Sequence, residues 1–223
     1  MIVIDNVTLT YPYDRFDVLK GVSFTVCEGV NTILADAQSG KTSICRLLLR
    51  DIEPTGGKIF VEGQQISCIT SRNLDILYLP SNPVFFERKS AQYNMEYPLK
   101  IRKVSKLERR NRVREIATQL GVPLEVKVCK LSPQQRRTLA LARGLTVERE
   151  IALFDDFFDG DEDLLNIGNV LQRFQTSVIV TSDVRLAMGH TVVLDGGVVV
   201  FEGDASEARQ VVSNLHWLTR IVD

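Results

Sequence analysis

Between residues 32 and 48 the chain reads TILADAQSGKTSICRLL: an apolar run fit for a buried strand, a short polar loop, then apolar residues at helical spacing. A strand that turns through Gly-Lys-Thr into a helix is the setting of a phosphate-binding loop. Successive backbone N–H groups and the helix N-terminus wrap the phosphates, the lysine reaches the outer ones, and the hydroxyl holds magnesium. Ala37, Gln38, Ser39, Gly40, Lys41, Thr42 and Ser43 occupy that loop and the first helical turn. The glycine expected five positions before Gly40 is Ala35, and Gln38 stands where glycine is common. A left-handed backbone at either position would cost about 1–2 kcal/mol, which weakens a cradle of backbone donors without abolishing it. Further along, IALFDD is an apolar strand that delivers Asp155 and Asp156 at its C-terminal end, where such folds place a second magnesium contact.

The surrounding pattern is that of an α/β protein. MIVIDNVTLTY and VLKGVSFTVCEG alternate with a period of two, TGGKIFVEGQQI forms another hairpin-like pair, and LDILYLP is a further strand. From about Asn82 to the end of LSPQQRRTLALARGL the periodicity is helical throughout, which predicts a helical insertion over 85–146 within a single domain of 1–223 whose core is 1–84 and 147–223. Strand, helix and strand return with EIALFDD, LLNIGNVLQRF and TSVIVTSD, followed by the hairpin TVVLDGGVVVFEG and a short helix carrying Trp217, read as a packing residue.

Charge and composition exclude several classes. With 27 basic and 28 acidic residues the net charge is -1, so no global field recruits nucleic acid. The eight Lys and Arg of KIRKVSKLERRNRVR read as a solvated helix face, because aromatics are few there. No apolar run approaches the ~18 residues of a membrane helix. No basic stretch precedes the first apolar residues, so a signal peptide is not expected and the chain is expected in the cytoplasm. Cys27, Cys45, Cys68 and Cys129 form no C-x-x-C pair and read as small apolar fillers. DGDED at 159–163 lacks the glycine and closing glutamate of a calcium loop, and His190 and His216 lack metal-ligand spacing.

Six stretches in order resemble the ATP-binding subunits of ABC transporters, within them the import type that works with separate permease chains. YPYDRFDVLKGVSF looks like the family's opening, LADAQSGKTS stands at Walker A, YLPSNPVFF at the Q-loop, LSPQQRRTLALARGL at the signature helix, IALFDD at Walker B and VIVTSD at the switch loop. The resemblance implies a P-loop NTPase core with a RecA-like mixed sheet, an antiparallel β subdomain and an inserted helical subdomain. It implies ATP and magnesium as ligands, with Tyr11 stacking on adenine and Thr42 and Asp155 at the metal. Ser132, Pro133, Gln134 and Gln135 would face a partner's nucleotide in a head-to-tail homodimer, or in a heterodimer with another ABC ATPase subunit. A membrane permease subunit would be the further partner, which places the protein peripherally at the inner face of the membrane.

The departures from that pattern gather at the hydrolytic positions. The Q-loop glutamine falls on Ser81, the catalytic glutamate on Asp156 and the switch histidine on Ser182, while the signature glycines are Pro133 and Gln134. Pro133 has no N–H and Gln134 adds a side chain where backbone should approach a phosphate, although proline suits a helix's first turn. Nucleotide binding depends on groups that are retained. Hydrolysis depends on placed acid-base groups, where each loss costs about 10²- to 10⁴-fold. The expectation is an ABC-type ATPase of reduced rate; the alternative is a non-hydrolytic, ATP-responsive regulatory or scaffold partner of an intact ATPase. A soluble ABC-like protein without a permease is a third, more remote reading, since neither a second cassette nor a basic arm is present.

Overall fold

The computed structural model describes residues 1–12, 16–36, 39–70, 73–158 and 164–215, with backbone alone for 164–166. Ala37, Gln38, the acidic run at 159–163, His216 and Trp217 lie outside the described residues. The chain divides into two compact units, one of residues 1–78 and 150–223, the other of residues 79–149.

The first unit carries two sheets. β1 (Ile2–Leu9), β2 (Leu19–Val26), β4 (Gly56–Val61) and β5 (Gln64–Gln65) form an antiparallel sheet in the order β2-β1-β4-β5. Its inward residues alternate with a period of two in separate stretches, Ile2 and Ile4, then Val7 and Leu9 beyond a register shift on β1, and Val22, Phe24 and Val26 on β2. The second sheet holds β3 (Gly29–Ala35), β6 (Ile76–Pro80), β7 (Ile151–Asp155), β8 (Thr176–Thr181), β9 (His190–Asp195) and β10 (Val198–Asp204), in the order β10-β9-β3-β8-β7-β6. β3 runs parallel to β8 and β9, and β7 parallel to β8. β7 and β8 are both buried along their whole length, β7 apolar up to Asp155 and β8 apolar over Val178–Val180, as central parallel strands are. Ser177 Oγ on β8 donates to the Leu171 carbonyl at 2.8 Å, and Thr32 on β3 is likewise paired with backbone. Thr32 Oγ1 donates to the Met188 carbonyl at 2.8 Å and accepts from its N–H at 2.9 Å.

Helix α1 (Lys41–Leu48) follows β3 and lies against β3, β7 and β8. α5 (Leu164–Leu171) connects β7 to β8, and α6 (Ala205–Asn214) follows β10. Beyond β7 the chain turns its aromatics inward. Phe154 stacks on Phe158 at 4.9 Å between centroids and meets Phe157 at 5.8 Å and Phe174 at 5.9 Å. Phe157 is thus a core residue, 2% exposed.

The second unit contains α2 (Ala91–Ile101), α3 (Lys106–Leu120) and α4 (Pro133–Leu145). Each begins on a serine whose hydroxyl accepts a backbone N–H of the first turn: Ser90 from Tyr93, Ser105 from Glu108 and Ser132 from Gln135. The expected helical run from about Asn82 is corrected here, since the first helix of that stretch begins at Ala91. Pro83 disfavours helix for the residue before it. The buried Asn94 takes the backbone of Phe86 instead, accepting its N–H at 2.9 Å and donating to its carbonyl at 3.3 Å. Segment 84–87 is fastened to α4. Arg143 donates to the Val84 carbonyl at 2.7 Å with its guanidinium 4.5 Å from the Phe85 centroid, and Arg136 forms a two-pronged pair with Glu87. The basic stretch is partly spent inside the unit, Arg109 on the Val104 carbonyl and Arg112 on Thr146 and Glu148. A second correction concerns the cysteines: Cys45 is buried, but Cys27, Cys68 and Cys129 are exposed and fill no core. Among the described residues no helix is long and apolar enough to cross a membrane.

Candidate functional site

The geometry of the loop answers the question raised by its missing glycine. Ala35 is the last residue of β3, paired with Leu194 and fully buried, and it is not among the non-glycine residues with positive φ. A β-region residue tolerates a methyl group, so the feared strain at this position is absent. The glycine that cannot change is Gly40. It caps α1 at φ 92°, and an added Cβ would come within 2.6 Å of Leu19 Cδ2.

Unlike the serine-capped helices of the second unit, α1 has no side-chain cap and no acidic residue in its first turn. The first N–H groups of a helix have no intrahelical partner, and its dipole favours negative charge there. Lys41 is the first residue of that helix and the exposed Thr42 the second. Cationic ammonium, hydroxyl, uncapped helix end and, on β7, the buried Asp155 make a donor set that fits a magnesium-bound polyphosphate.

Two carboxylates stand side by side at the end of β7 with different partners. Asp155, 6% exposed, accepts a hydrogen bond on Oδ2 from the Tyr78 hydroxyl at 2.8 Å. Burial, and then that carboxylate, push the Tyr78 phenol well above its ordinary range, so it stays a protonated donor. The next residue, Asp156, meets a cation. It adopts φ 47°, its N–H donates to the Val180 carbonyl at 2.8 Å, and its Oδ1 lies 3.4 Å from Lys41 Nζ. Aspartate accepts the left-handed region more readily than longer side chains, and backbone of this kind gathers at functional turns. Burial, and then the nearby charges of Asp155 and Asp156, push the pKa of the Cys45 thiol well above its ordinary range.

Tyr11 is partly buried beside the same helix. Its hydroxyl lies 3.0 Å from Ser43 Oγ and accepts from Arg46 at 3.3 Å, and the Arg46 guanidinium sits 5.7 Å from the ring centroid. A base could reach only the ring area that Arg46 leaves open. Ser182 follows the last residue of β8 and is half-buried. Next to it Asp183 is fixed by Arg185, which donates from Nη2 to Oδ2 at 2.6 Å and holds that carboxyl below its usual range.

The remaining predicted positions lie in the second unit, where Ser81 is exposed. Ser132 and Gln135 bond each other: Gln135 N–H donates to Ser132 Oγ at 3.2 Å, and Ser132 N–H donates to Gln135 Oε1 at 2.9 Å. This capping box uses both side chains that the family signature retains, and Pro133 and Gln134 open the helix behind it. Ser-x-x-Gln ahead of an apolar run signals such a box in sequence. Tyr78 had no comparable signal, since its partner is 77 positions away.

The ABC transporter family model matches residues 19–159, more than half of the chain. The chain belongs to the ABC transporter family. Among curated relatives it is 35% identical, over 63% of its length and 43% of theirs, to the molybdate/tungstate import ATP-binding protein WtpC of Thermococcus kodakarensis. It is 31% identical, over 92% of its length and 60% of theirs, to the sn-glycerol-3-phosphate import ATP-binding protein UgpC of Rhodopseudomonas palustris. The chain thus spans about half the length of the curated relatives it matches. A solved bacterial Atm1-family ABC exporter with ATP bound superposes on 100% of the chain and 42% of its own with a TM-score of 0.81 at 23% identity, a likeness of fold. The mixed sheet, the antiparallel sheet and the surrounding helices are therefore those of an ABC ATPase with a P-loop core.

Proposed function

We propose that the chain is the ATP-binding subunit of an ABC importer, binding Mg-ATP at α1 and turning it over slowly. The observation that carries the reading is the uncapped N-terminus of α1, with Lys41 and Thr42 on it and Asp155 on the adjoining strand. Relatives named as import ATP-binding proteins, matching up to 93% of the chain, support the import class. In this reading the loop through Ala37, Gln38, Ser39 and Gly40, together with Lys41, Thr42 and Ser43, cradles the phosphates, and Tyr11 carries adenine. Magnesium at Thr42 and Asp155 would neutralise charge on the outer phosphates. Two chains, or this chain and another ABC ATPase subunit, would pair head to tail, each phosphate loop facing the other chain's Ser132–Gln135. A permease would dock beside the exposed Val84, Phe86 and Tyr97, holding the pair peripherally at the inner face of the membrane.

Slow turnover follows from what stands at the hydrolytic positions. The carboxylate that would activate water belongs to Asp156, one methylene shorter than glutamate and paired with the lysine that should hold phosphate. Ser182 has no imidazole with which to handle a proton, and Ser81 replaces a longer amide. These same observations, with the self-bonded Ser132 and Gln135, favour a second reading in which the chain binds ATP without cleaving it and regulates an intact partner subunit.

Calorimetric titration of the purified chain with Mg-ATP tests the shared claim. A dissociation constant between micromolar and millimolar is expected; no heat at several millimolar ATP from a folded protein would refute the site. Tyr11→Ala should weaken binding by about tenfold, the scale of a lost base-aromatic stack. Unchanged affinity would reduce Tyr11 to a packing partner of Ser43 and Arg46.

A further inference from the structure

Asp155 and Asp156 are adjacent in sequence; Oδ2 of the first accepts from the neutral Tyr78 hydroxyl, and Oδ1 of the second lies 3.4 Å from Lys41 Nζ. We propose, resting on the Mg-ATP reading above, that Tyr78 is a positioning residue which fixes the Asp155 carboxylate for magnesium while leaving its charge intact.

Every residue of β7 is buried, so the carboxylate at its end has little water around it, and a desolvated carboxylate needs hydrogen-bond donors. Tyr78 supplies one from β6, the neighbouring strand. Its ring packs against the main apolar core, which limits the swing of the hydroxyl and therefore the rotation of the carboxylate it holds by Oδ2. The chemistry of the donor matters as much as its place. An ammonium there would cancel the negative charge that attracts a divalent ion; a phenol orients the group and cancels nothing. Lys41 provides that contrast one residue on, where its Nζ lies 3.4 Å from Asp156 Oδ1. Tyr78 thus orients the Asp155 carboxylate by Oδ2 without adding a counter-charge, while Lys41 faces Asp156. Partners that orient a metal-binding carboxylate commonly contribute as much as tenfold or more to metal affinity.

The test compares wild type, Tyr78→Phe, Asp155→Asn and the double variant, reading ATP affinity in EDTA and then the magnesium concentration that gives half of the magnesium-dependent tightening. Tyr78→Phe removes one oxygen and keeps the ring. Its ATP affinity in EDTA should stay within about twofold of wild type, while its magnesium midpoint rises by about tenfold. In the Asp155→Asn background the same change should add nothing, because the hydroxyl acts through that carboxylate. The assignment is overturned by an unchanged magnesium midpoint, by an equal loss of affinity in EDTA, or by a shift that persists without the Asp155 carboxylate. Failure of Tyr78→Phe to fold would overturn it as well, since the hydroxyl would then be a structural group. A wild-type chain that binds ATP with no magnesium dependence, or does not bind it, contradicts the proposed function itself and is told apart by the wild-type titration alone.

Discussion

Replacing Asp156 by glutamate, Ser182 by histidine, and Pro133 and Gln134 by glycine in one chain should raise ATP turnover by about 10⁴-fold or more, with neither pair of changes achieving this alone. An acid-base group placed correctly contributes about 10²- to 10⁴-fold, but only when the reacting atoms are brought to it. Asp156→Glu by itself meets two obstacles visible in the fold. Residue 156 sits at φ 47°, which a longer side chain tolerates less well than aspartate, and its carboxylate already faces Lys41 at 3.4 Å. The proposed signature segment adds a separate obstacle. Ser132 N–H is committed to the Gln135 side chain and Pro133 has no N–H to offer, so the pair of glycines should promote ATP-dependent dimerisation without supplying a base. Groups that act as one unit combine by more than the product of their separate effects. Steady-state turnover of the two double variants and the quadruple variant reads this directly, and a strictly multiplicative outcome would show that closure and chemistry are independent here.

Lys41→Ala should weaken Mg-ATP binding by about 10- to 100-fold, as expected for removing a charge-assisted contact worth about 1.5–3 kcal/mol. The loss has a second source. Without the ammonium, Asp156 keeps its negative charge beside the phosphate site and repels the ligand. The complementary change has the opposite sign: Asp156→Asn releases Lys41 and should tighten binding. That ion pair is partly open to solvent, so the gain should not exceed about fivefold. Titration with ADP and with a non-hydrolysable ATP analogue keeps a change in affinity separate from a change in turnover. Unchanged binding in Lys41→Ala would move the nucleotide away from α1, and weaker binding in Asp156→Asn would show that the carboxylate supports the ligand instead of competing with it.

What the sequence disclosed and what it concealed follow a physical division. β3, α1 and β7 were legible because each depends on local patterning: an apolar run, Gly-Lys-Thr, an acid closing a strand. Ala35 looked like damage in the sequence, yet the strand continues through that position and needs no glycine. The stretch before Ala91 looked helical by apolar spacing alone, whereas Asn94 captures the backbone of Phe86 and holds it as a loop. Facts that arise between distant residues left no trace in the pattern. The bond from Tyr78 to Asp155 spans 77 positions, and the left-handed turn at Asp156 that brings its carboxylate to Lys41 belongs to the strand end as folded. Such contacts appear only once β6, β7 and α1 are assembled.

The central claim is that this chain holds Mg-ATP at α1 and leaves it largely uncleaved. A single-turnover experiment, with the protein in excess over labelled ATP and magnesium present, reports both halves at once as the fraction of label bound and the fraction converted to ADP. The account predicts label that is bound and remains ATP over minutes, with binding lost in Lys41→Ala. Cleavage by the wild-type chain alone at an ordinary ~10 per second would contradict it, because Asp156, Ser182 and the self-capped signature would then suffice for catalysis.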